Sequence, residues 1–416
     1  MIDRVVIVGA GHGGGSAAAF LRQNGFTGSI TLIGDEAFHP YHRPPLSKAW
    51  LKGEADRDSL PLRSEGFYAD RAITTMLSTP AVAIDRASRE VVLDDQKRIG
   101  WDALIVATGA RARTLSVAGA TSSGILTLRD AVDADRLKAA LGPGRRLAVV
   151  GGGYIGLEVA ASARALGADV VVIEREARLL ARVASPPIAA FFEAYHRSRG
   201  VRFELGADVD GFESHGGGVS GVVLRDGPVL ACDAVLVGVG AIPNDELARA
   251  AGLDCEAGVV VDLDARTSDP HIFAIGDVTF RPLPLNGRMG RLESVPNALE
   301  QARRAACAIT GAAPPADEVP WFWSDQYDVK LQIAGLPLDA DELVIRGSQD
   351  ANTFAVFHLR GARILSVEAL NAPAEFSAGK VLIGSRVPVP RAALTDSTIS
   401  MKAIAAAAAA AAKPES

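Results

Sequence analysis

Two segments of the chain repeat the same succession of apolar and small residues. In the first, the β-branched run RVVIV at residues 4–8 leads into the turn GAGHGG, a helical pattern over about 15–24, and the apolar run SITLIGD. In the second, RLAVV at 146–150 leads into GGGYIG, a helical pattern over about 157–166, and ADVVVIERE. A strand, a helix and a second strand in this order form a βαβ unit. The pattern therefore predicts two βαβ units.

The rest of the chain predicts more strands and one long helix. Residues 295–310 have the pattern of a helix that begins just after Pro296. The proline-containing segment 311–320 leads into a region of different texture, residues 321–389, in which strand-like runs dominate. We therefore expect an α/β fold with two doubly wound domains and a C-terminal α+β domain. Further strand-like apolar runs occur at residues 103–109, 234–240 and 271–277.

Each βαβ unit has a glycine pattern at its first turn, Gly9-x-Gly11-x-x-Gly14 and Gly151-x-Gly153-x-x-Gly156. The first glycine permits the tight turn, the second lets the backbone approach a pyrophosphate, and the third allows close helix–strand packing. The helix N-terminus then supplies N–H groups and a positive dipole end to the phosphates. Because both patterns lie between a strand and a helix, they predict two dinucleotide sites.

Acidic residues end the second strand of each unit, where a carboxylate can accept hydrogen bonds from ribose hydroxyls. These residues are Asp35 and Glu36 in the first unit and Glu174 in the second. Glu174 favours NADH, since a carboxylate would repel the 2′-phosphate of NADPH. Arg175 next to it weakens that preference, because an arginine accommodates a phosphate, although a solvated surface charge is the simpler interpretation.

Composition and cysteine content exclude several classes of function. The 416 residues include 43 Lys+Arg and 49 Asp+Glu, a net charge of −6 that gives no reason to expect nucleic-acid binding. Cys232, Cys255 and Cys307 form no CxxC pair and no metal spacing, so neither a disulfide framework nor a metal site is expected.

The chain has no signal-peptide pattern and no apolar run near the ~20 residues of a membrane span, which predicts a cytoplasmic protein. Two dinucleotide sites without redox cysteines favour a flavin, which accepts a hydride and releases single electrons.

Seven segments occur along the chain in this order: YHRPPLSK (41–48), ATG (107–109), GGGYIGLEVA (151–160), VGVGAIPN (237–244), TSDPHIFAIGD (267–277), ESVPNALEQAR (293–303) and PWFWSDQYD (320–328). Together they resemble the putidaredoxin-reductase-like family, whose members are FAD-containing, NADH-dependent reductases of [2Fe–2S] ferredoxins that serve cytochromes P450 or ring-hydroxylating dioxygenases. RPPLSK and PWFWSDQ are the specific motifs, whereas the glycine turns and ATG are shared by many flavoproteins. The resemblance extends from Arg4 to about Ile404 and implies the glutathione-reductase-like fold.

The resemblance implies the cofactor-binding residues. For FAD, they are Gly9, Gly11, Gly13, Gly14 and Asp35 around the ADP group, Val82 and Arg129, Asp277 at the ribityl chain, Val295 at the pyrimidine end of the ring, Lys48, and Trp323 near the flavin. For NADH, they are Gly151, Gly153, Ile155, Gly156 and Glu174.

Lys48 and Glu158 are the catalytic residues that the resemblance implies. Lys48, in RPPLSK, corresponds to the lysine beside the reactive edge of the flavin, where a cation would stabilise negative charge on the reduced ring. Glu158 corresponds to an acid near the nicotinamide that pairs with this lysine. A carboxylate that interacts with the helix dipole is a compatible alternative for Glu158.

The resemblance implies hydride transfer from NADH to the flavin and single-electron transfer to an acidic [2Fe–2S] ferredoxin. Docking would then involve basic residues, of which Arg43, Arg288, Arg291, Arg303 and Arg304 are candidates, although a solvated surface charge is the default interpretation of each. Residues 34–50 contain no cysteine, which excludes disulfide-reductase and peroxidase relatives. Two alternatives stay open: another acceptor, such as a rubredoxin or a haem component, and an NADH-sensing flavoprotein similar to apoptosis-inducing factor. A monomer or weak dimer fits the family.

The expected domain organisation is discontinuous. An FAD domain would comprise residues 1–110 and 245–315, and an NADH domain would comprise residues 111–244. A C-terminal α+β domain would follow over residues 316–400, with a tail at 401–416. The alanine run 405–412 in that tail fits either a helical end or a frayed terminus.

Overall fold

Apolar β-branched runs form the central strands of two parallel sheets in a computed structural model of the chain. The structure describes residues 2–64, 66–285 and 287–411. The chain divides into two units, each with one of these sheets. The domain boundaries expected from the sequence stay a prediction. The first unit consists of Met1–Arg43, Arg57–Arg111 and Ala241–Glu318, and the second of Pro44–Asp56, Ala112–Gly240 and Val319–Ser416.

The first unit contains short strands and a few helices. Its strands are Arg4–Val8, Ser29–Ile33, Ile73–Met76, Ala81–Asp85, Glu90–Leu93, Arg98–Gly100, Ala103–Val106, Ala241–Pro243, Val259–Val260, Ile272–Ala274, Thr279–Pro282 and Met289–Gly290. Its helices are His12–Gln23, Phe67–Asp70, Glu246–Ala250 and Val295–Thr310, with 3-10 turns at Arg57–Ser59 and Gly276–Val278. The strand Ala110–Ala112 lies where the chain passes from the first unit to the second.

The parallel sheet of the first unit is covered on both faces. Val5 and Ile7 of its central strand pack in one apolar cluster with residues of the helices His12–Gln23 and Val295–Thr310. Val6 and Val8 point the other way, into a second cluster. This alternation explains why the strand is apolar at nearly every position. The strand order is Ile272–Ala274, Ala103–Val106, Arg4–Val8, Ser29–Ile33 and Ile73–Met76.

The second unit contains a parallel sheet, a small antiparallel sheet and the C-terminal elements. Its strands are Ile125–Leu126, Arg146–Val150, Asp169–Glu174, Arg202–Leu205, Val209–His215, Gly218–Leu224, Val229–Ala231, Ala234–Val237, Trp321–Gln326, Val329–Gly335, Glu342–Ser348, Thr353–Arg360 and Arg363–Leu370. Its helices are Ala49–Lys52, Ala131–Ala140, Tyr154–Ala165, Pro186–Ser198, Pro373–Ser385, Arg391–Thr395 and Met401–Ala411, with a 3-10 turn at Pro44–Ser47.

The parallel sheet of the second unit repeats the pattern of the first. Its central strand also lies between the next strand in the sequence and a much later one, which makes both sheets doubly wound. The C-terminal strands form a separate antiparallel sheet, in which Trp321–Gln326 is an edge strand. The parallel order is Arg202–Leu205, Asp169–Glu174, Arg146–Val150, Ala234–Val237 and Ile125–Leu126.

Two helices begin three residues earlier than the sequence pattern predicts, at His12 and at Tyr154. The reason is that the second glycine of each turn is the helix N-cap, and glycines do not register in a hydrophobic pattern. The alanine run forms a helix, Met401–Ala411, while its last residue, Ala412, and residues 413–416 lie outside the described residues. Among the described residues, no helix is both long and apolar enough to cross a membrane.

Candidate functional site

The first glycine turn has the geometry of a phosphate-binding site. Gly9 has φ +114°, and a Cβ there would lie 2.2 Å from the Ala107 carbonyl oxygen. A Cβ at Gly14 would lie 1.9 Å from the Gly9 carbonyl oxygen, so the helix approaches the strand too closely for a side chain. Gly11 caps the helix His12–Gln23, and no side chain of the described residues caps that helix end. The N–H groups at the start of this helix are therefore available to a bound anion such as a pyrophosphate.

The second glycine turn repeats this geometry in the other unit. Gly151 has φ +109°, and a Cβ at Gly156 would lie 2.2 Å from the Gly151 carbonyl oxygen. Gly153 is the N-cap of the helix Tyr154–Ala165, and a Cβ there would meet nothing within 4 Å. Ile155, predicted to bind NADH, is 46% exposed on the first turn of this helix. The two turns thus offer each unit its own dinucleotide site.

Glu174 is held in place by the second turn. Its Oε2 accepts a hydrogen bond from the Gly152 N–H at 2.7 Å, and its Oε1 accepts one from the Glu176 N–H at 2.9 Å. The carboxylate is therefore oriented before any coenzyme binds, at the strand end where ribose recognition is expected. Arg175 is 69% exposed in its side chain and pairs with Glu176 at 3.5 Å. This geometry agrees with the simpler interpretation of Arg175 as a surface charge.

Asp277 and the helix Val295–Thr310 lie beside the first turn. A Cβ on Gly13 would contact Ile275 at 3.5 Å and Ala298 at 3.9 Å, so the start of this helix faces the glycine turn. The buried Gln301 side chain accepts from the Gly276 N–H at 2.6 Å and thereby fixes the 3-10 turn that presents Asp277. Val295 is the first residue of the helix. Within the first unit, the structure thus brings together the glycine turn, Asp277 and Val295.

For His12, in the first glycine turn, the sequence leaves open a cofactor contact and a plain turn residue. Its Nδ1 is buried and has no hydrogen-bond partner among the described residues, and its ring packs edge-on against His42 at 5.3 Å. Burial is the main cause that lowers the pKa of His12 to about 4, so that the ring is neutral at pH 7. A buried polar atom without a partner, next to the glycine turn, fits a site that is completed by a bound group.

Arg43 and Glu36 form an ion pair near the same turn. Arg43 Nη2 lies 2.5 Å from Glu36 Oε1, and the Tyr41 hydroxyl donates to Glu36 Oε2 at 2.6 Å. A Cβ on Gly11 would lie 3.8 Å from Arg43 Nη2, which places the guanidinium next to the phosphate-binding turn. Asp35, the predicted ribose-binding acid, is exposed just before Glu36. The sequence places Arg43 only among the candidates for a docking surface, because of its charge. Its position in the motif YHRPPLSK is the signal that could have placed it beside the glycine turn.

Lys48 and Glu158 form a buried ion pair in the second unit. Lys48 Nζ lies 2.5 Å from Glu158 Oε2, and the Ser47 hydroxyl also donates to this oxygen at 2.5 Å. The other oxygen, Oε1, accepts from the Ser324 hydroxyl at 2.7 Å. The Glu158 side chain is only 3% exposed. A cation and two hydroxyl donors therefore compensate the carboxylate for its loss of water.

The edge strand Trp321–Gln326 makes different contacts on its two faces. Trp321 and Trp323 lie on one face, with ring centroids 5.5 Å apart, and both are half-buried. On the other face, the Phe322 ring packs against Tyr154 of the second turn at 4.7 Å, and Ser324 binds Glu158. The strand thus contacts the helix of the second glycine turn, while Trp323 lies on its opposite face.

Val82 and Arg129 are the remaining predicted FAD residues. Val82 is 48% exposed on the strand Ala81–Asp85 of the first unit. Arg129 is in the second unit, where its backbone N–H donates to Asp133 at 3.0 Å. The predicted FAD residues therefore come from both units, with Lys48, Arg129 and Trp323 in the second.

Arg304 is wrongly assigned to a docking surface. It is 4% exposed and binds Glu300, one turn earlier on its helix, and Asp317. Among the other candidates in the first unit, Arg291 pairs with Glu293, and Arg288 and Arg303 are exposed. The sequence alone cannot distinguish the buried Arg304 from the exposed arginines, because the burial of a side chain depends on residues that are distant in the sequence. Among the described residues, no group of three or more His, Cys, Asp or Glu side chains is arranged to hold a metal ion.

The chain matches two family models and closely similar proteins. Residues 3–302 match the pyridine nucleotide-disulphide oxidoreductase model, and residues 321–405 match the reductase C-terminal model. A probable ferredoxin reductase, CtmF, of Castellaniella defragrans is 50% identical, covering 97% of this chain and 99% of its own. The putidaredoxin reductase CamA of Pseudomonas putida is 43% identical, covering 98% of this chain and 97% of its own.

A solved structure agrees with these matches. The reductase in the covalent putidaredoxin reductase–putidaredoxin complex is 43% identical to this chain and superposes with a TM-score of 0.96, covering 98% of this chain and 99% of its own. The resemblance and the fold class expected from the sequence are thereby confirmed. The chain belongs to the pyridine nucleotide-disulphide oxidoreductase family and is similar, over nearly its whole length, to the putidaredoxin-reductase-like members of that family.

Proposed function

We propose that the protein is an FAD-dependent NADH:ferredoxin oxidoreductase, whose [2Fe–2S] ferredoxin serves a cytochrome P450 or a ring-hydroxylating oxygenase. The observation that carries this proposal is the presence of two glycine turns of the same geometry, one in each unit. Bound FAD supplies a ring that takes two electrons from NADH and gives them up one at a time. The residues of the chain bind and orient the two dinucleotides.

The coenzyme side of this proposal uses the second turn. N–H groups at the start of the helix Tyr154–Ala165 bind the pyrophosphate of NADH, and the fixed carboxylate of Glu174 accepts from the ribose hydroxyls. The NADH domain in this proposal is residues 111–244.

The flavin side uses the first turn and the buried ion pair. The turn from Gly9 to Gly14 binds the ADP part of FAD, and Asp277 accepts from the ribityl hydroxyls. Lys48 keeps its positive charge in place through Glu158, ready to stabilise negative charge that develops on the ring. The FAD domain in this proposal is residues 1–110 and 245–315, with Trp323 contributed by the C-terminal domain, residues 316–400.

The ferredoxin as acceptor, and the cytoplasm as location, complete the proposal. Relatives that are 43% and 50% identical along almost their whole lengths are named putidaredoxin reductase and probable ferredoxin reductase. The three cysteines are free thiols, as expected in a reducing compartment. Electron transfer to a docked ferredoxin needs proximity and orientation rather than an acid–base group.

The test is NADH-driven reduction of cytochrome c by the flavin-loaded protein, with and without added putidaredoxin, repeated with NADPH. We expect strong stimulation by putidaredoxin and a preference for NADH. Fast flavin reduction by NADH without stimulation would overturn the ferredoxin assignment and leave the coenzyme half standing, with a rubredoxin or a haem component as the next acceptors to try. Slow turnover with every acceptor would instead favour an NADH-sensing flavoprotein.

A further inference from the structure

One stripe of the helix Tyr154–Ala165 receives contacts at every fourth residue. Tyr154 packs against Phe322, Glu158 binds Lys48, Ser47 and Ser324, and the Ser162 hydroxyl donates to the Ser47 carbonyl at 2.8 Å. Residues four apart lie on one face of a helix. Glu158 lies in the middle of this face. Because the Ser324 hydroxyl donates to Glu158, the orientation of the Glu158 carboxylate depends on the residues that hold Ser324.

Behind Ser324, buried polar side chains continue away from the ion pair. Gln326 Nε2 lies 3.2 Å from Ser324 Oγ, and Gln326 Oε1 lies 2.8 Å from His196 Nε2. The three side chains are at most 1% exposed. Beyond His196, the Tyr327 hydroxyl lies 3.4 Å from Nδ1. We call Ser324, Gln326 and His196 the buried relay.

The hydrogen bonds of the buried relay all donate in the same direction, from His196 to Gln326, from Gln326 to Ser324 and from Ser324 to Glu158. Gln326 Oε1 can only accept, so the proton of the His196 ring is on Nε2. The Gln326 amide then donates to the Ser324 oxygen, which leaves the Ser324 hydroxyl hydrogen free to point at Glu158. Burial lowers the pKa of His196 to about 4, so that the ring is a neutral donor at pH 7.

We propose that Gln326 and His196 are positioning residues, which orient the Ser324 hydroxyl toward Glu158 and thereby fix the carboxylate that holds Lys48. Without them, Ser324 can rotate and donate elsewhere, and the Glu158 carboxylate loses its only donor on Oε1 among the described residues. The inference rests on the proposed function, in which Lys48 and Glu158 act beside the flavin. The charged and ionisable groups around the relay are Lys48 at one end and Tyr327 and Arg199 at the other.

The experiment measures the rate constant of flavin reduction at saturating NADH, and the Kd of NADH, in the flavin-loaded protein by stopped flow. We expect Ser324→Ala, Gln326→Met and His196→Met to lower the rate constant about fivefold, while the Kd changes less than about twofold. His196→Gln restores most of the rate, because its amide N–H can replace the ring Nε2–H. If the relay only stabilised the fold, an amide N–H donor at position 196 would not restore the rate constant.

Ser366→Ala is the matched control. Ser366 is a buried serine of the same C-terminal sheet, and its hydroxyl donates to the Ala334 carbonyl at 2.9 Å, away from Glu158. We expect this variant to reduce its flavin at the wild-type rate. A loss equal to that of Ser324→Ala would overturn the proposal, since it would mean that any lost buried hydroxyl has the same effect.

Glu158→Gln separates this inference from the proposed function. If Glu158→Gln lowers the rate constant and the relay variants add less than about twofold in that background, the relay acts through Glu158. If the relay variants act equally strongly with and without Glu158, or have no effect while Glu158→Gln does, the inference fails alone. If Glu158→Gln itself leaves the rate unchanged, the role of the ion pair in the proposed function fails as well.

Discussion

Lys48 Nζ lies 2.5 Å from Glu158 Oε2, although 110 positions separate the two residues in the sequence. The lysine comes from the short segment Pro44–Asp56, which belongs to the second unit although both flanking segments belong to the first. Its side chain is 19% exposed against 3% for Glu158. The motif RPPLSK therefore places a cation against the helix Tyr154–Ala165. Each charge of the pair depends on the other, because a buried charge without a partner is costly.

Lys48→Met should slow flavin reduction by NADH at saturating coenzyme by about 10- to 100-fold, because the proposed function assigns the charge of Lys48 to the stabilisation of the reduced flavin. The same substitution leaves Glu158 buried without its cation, so the thermal unfolding midpoint should also fall. Lys48→Arg keeps the charge and should retain more of the rate. Stopped-flow absorbance and thermal unfolding of the same preparations check both effects.

Lys52→Met is the control for Lys48→Met. Lys52 is four residues further on and pairs with Glu54, whose side chain is 58% exposed. An exposed pair of this kind contributes about 0–1 kcal/mol, and we expect no change in rate. Equal losses in the two variants would show that the effect does not come from the pair with Glu158.

Glu174→Ala should weaken the preference for NADH over NADPH. The carboxylate is fixed by two backbone N–H groups, so its removal takes away an oriented acceptor for the ribose and the charge that repels a 2′-phosphate. We expect the ratio of kcat/KM for the two coenzymes to fall about tenfold, with a higher KM for NADH. Steady-state kinetics with both coenzymes measure this ratio.

Glu176→Ala tests whether any nearby acid has the same effect. Its backbone N–H still donates to Glu174, and its side chain, 45% exposed, contacts only Arg175 in the hydrogen bonds described. We expect the coenzyme ratio to change by about twofold or less. A tenfold change in this variant would assign the selectivity to the general charge of the region rather than to Glu174.

Local features of the fold could be predicted because neighbouring residues determine them. The runs at Arg4–Val8 and Arg146–Val150 are strands with the bounds that the sequence indicates, since strands covered on both faces are apolar at consecutive positions. The fold class is confirmed for the same reason. The helix starts at His12 and Tyr154 were missed, because glycine N-caps carry no hydrophobic signal.

Contacts between distant segments account for what the sequence could not predict. His196 and Gln326 are 130 positions apart, and neither belongs to a pattern that indicates a hydrogen bond. Glu300 and Arg304 have the spacing of a helical ion pair, but nothing in that spacing says that the pair is buried. The Lys48–Glu158 pair was expected only through the family resemblance.

Arg281→Met should destabilise the first unit by about 3–5 kcal/mol. Arg281 is 1% exposed, and its Nη1 lies 2.5 Å from Glu300 and 3.0 Å from Asn297 Oδ1. Its loss leaves the carboxylate of Glu300, a buried residue of the helix Val295–Thr310, with less compensation. The thermal unfolding midpoint of the flavin-loaded protein measures the effect.

Arg4→Met is the comparison for Arg281→Met. Arg4 pairs with Asp102 at 2.8 Å, but its side chain is 53% exposed, so we expect a loss of about 0–1 kcal/mol. Adding Glu300→Leu to Arg281→Met should cost less than the sum of the two single losses, because both substitutions break the same ion pair. If the double variant is less stable by the full sum of the single losses, the two side chains do not act as a pair.

Stability should fall as the pH decreases from about 6.5 to about 4, partly because of His196. Burial, the largest cause, lowers the pKa of His196 to about 4 in the folded protein, and Arg199 lowers it further, although the hydrogen bond with Gln326 acts in the opposite direction. In the unfolded chain the ring takes up a proton near its ordinary pKa of about 6.5. The unfolded state therefore binds more protons between these values, and the free energy of unfolding decreases with falling pH by roughly 3 kcal/mol from this residue.

His196→Gln removes this titration while it keeps an N–H donor for Gln326. We expect the free energy of unfolding of the variant to depend less steeply on pH between about 4 and 6.5 than that of the wild type, with denaturant titrations at several pH values as the measurement. His12, whose pKa is also lowered to about 4, contributes equally in both proteins, so the difference between them isolates His196. His215→Gln, at an exposed position, is the matched control for the substitution itself. Equal slopes in His196→Gln and the wild type would mean that His196 is protonated in the folded protein, which its burial among apolar rings argues against.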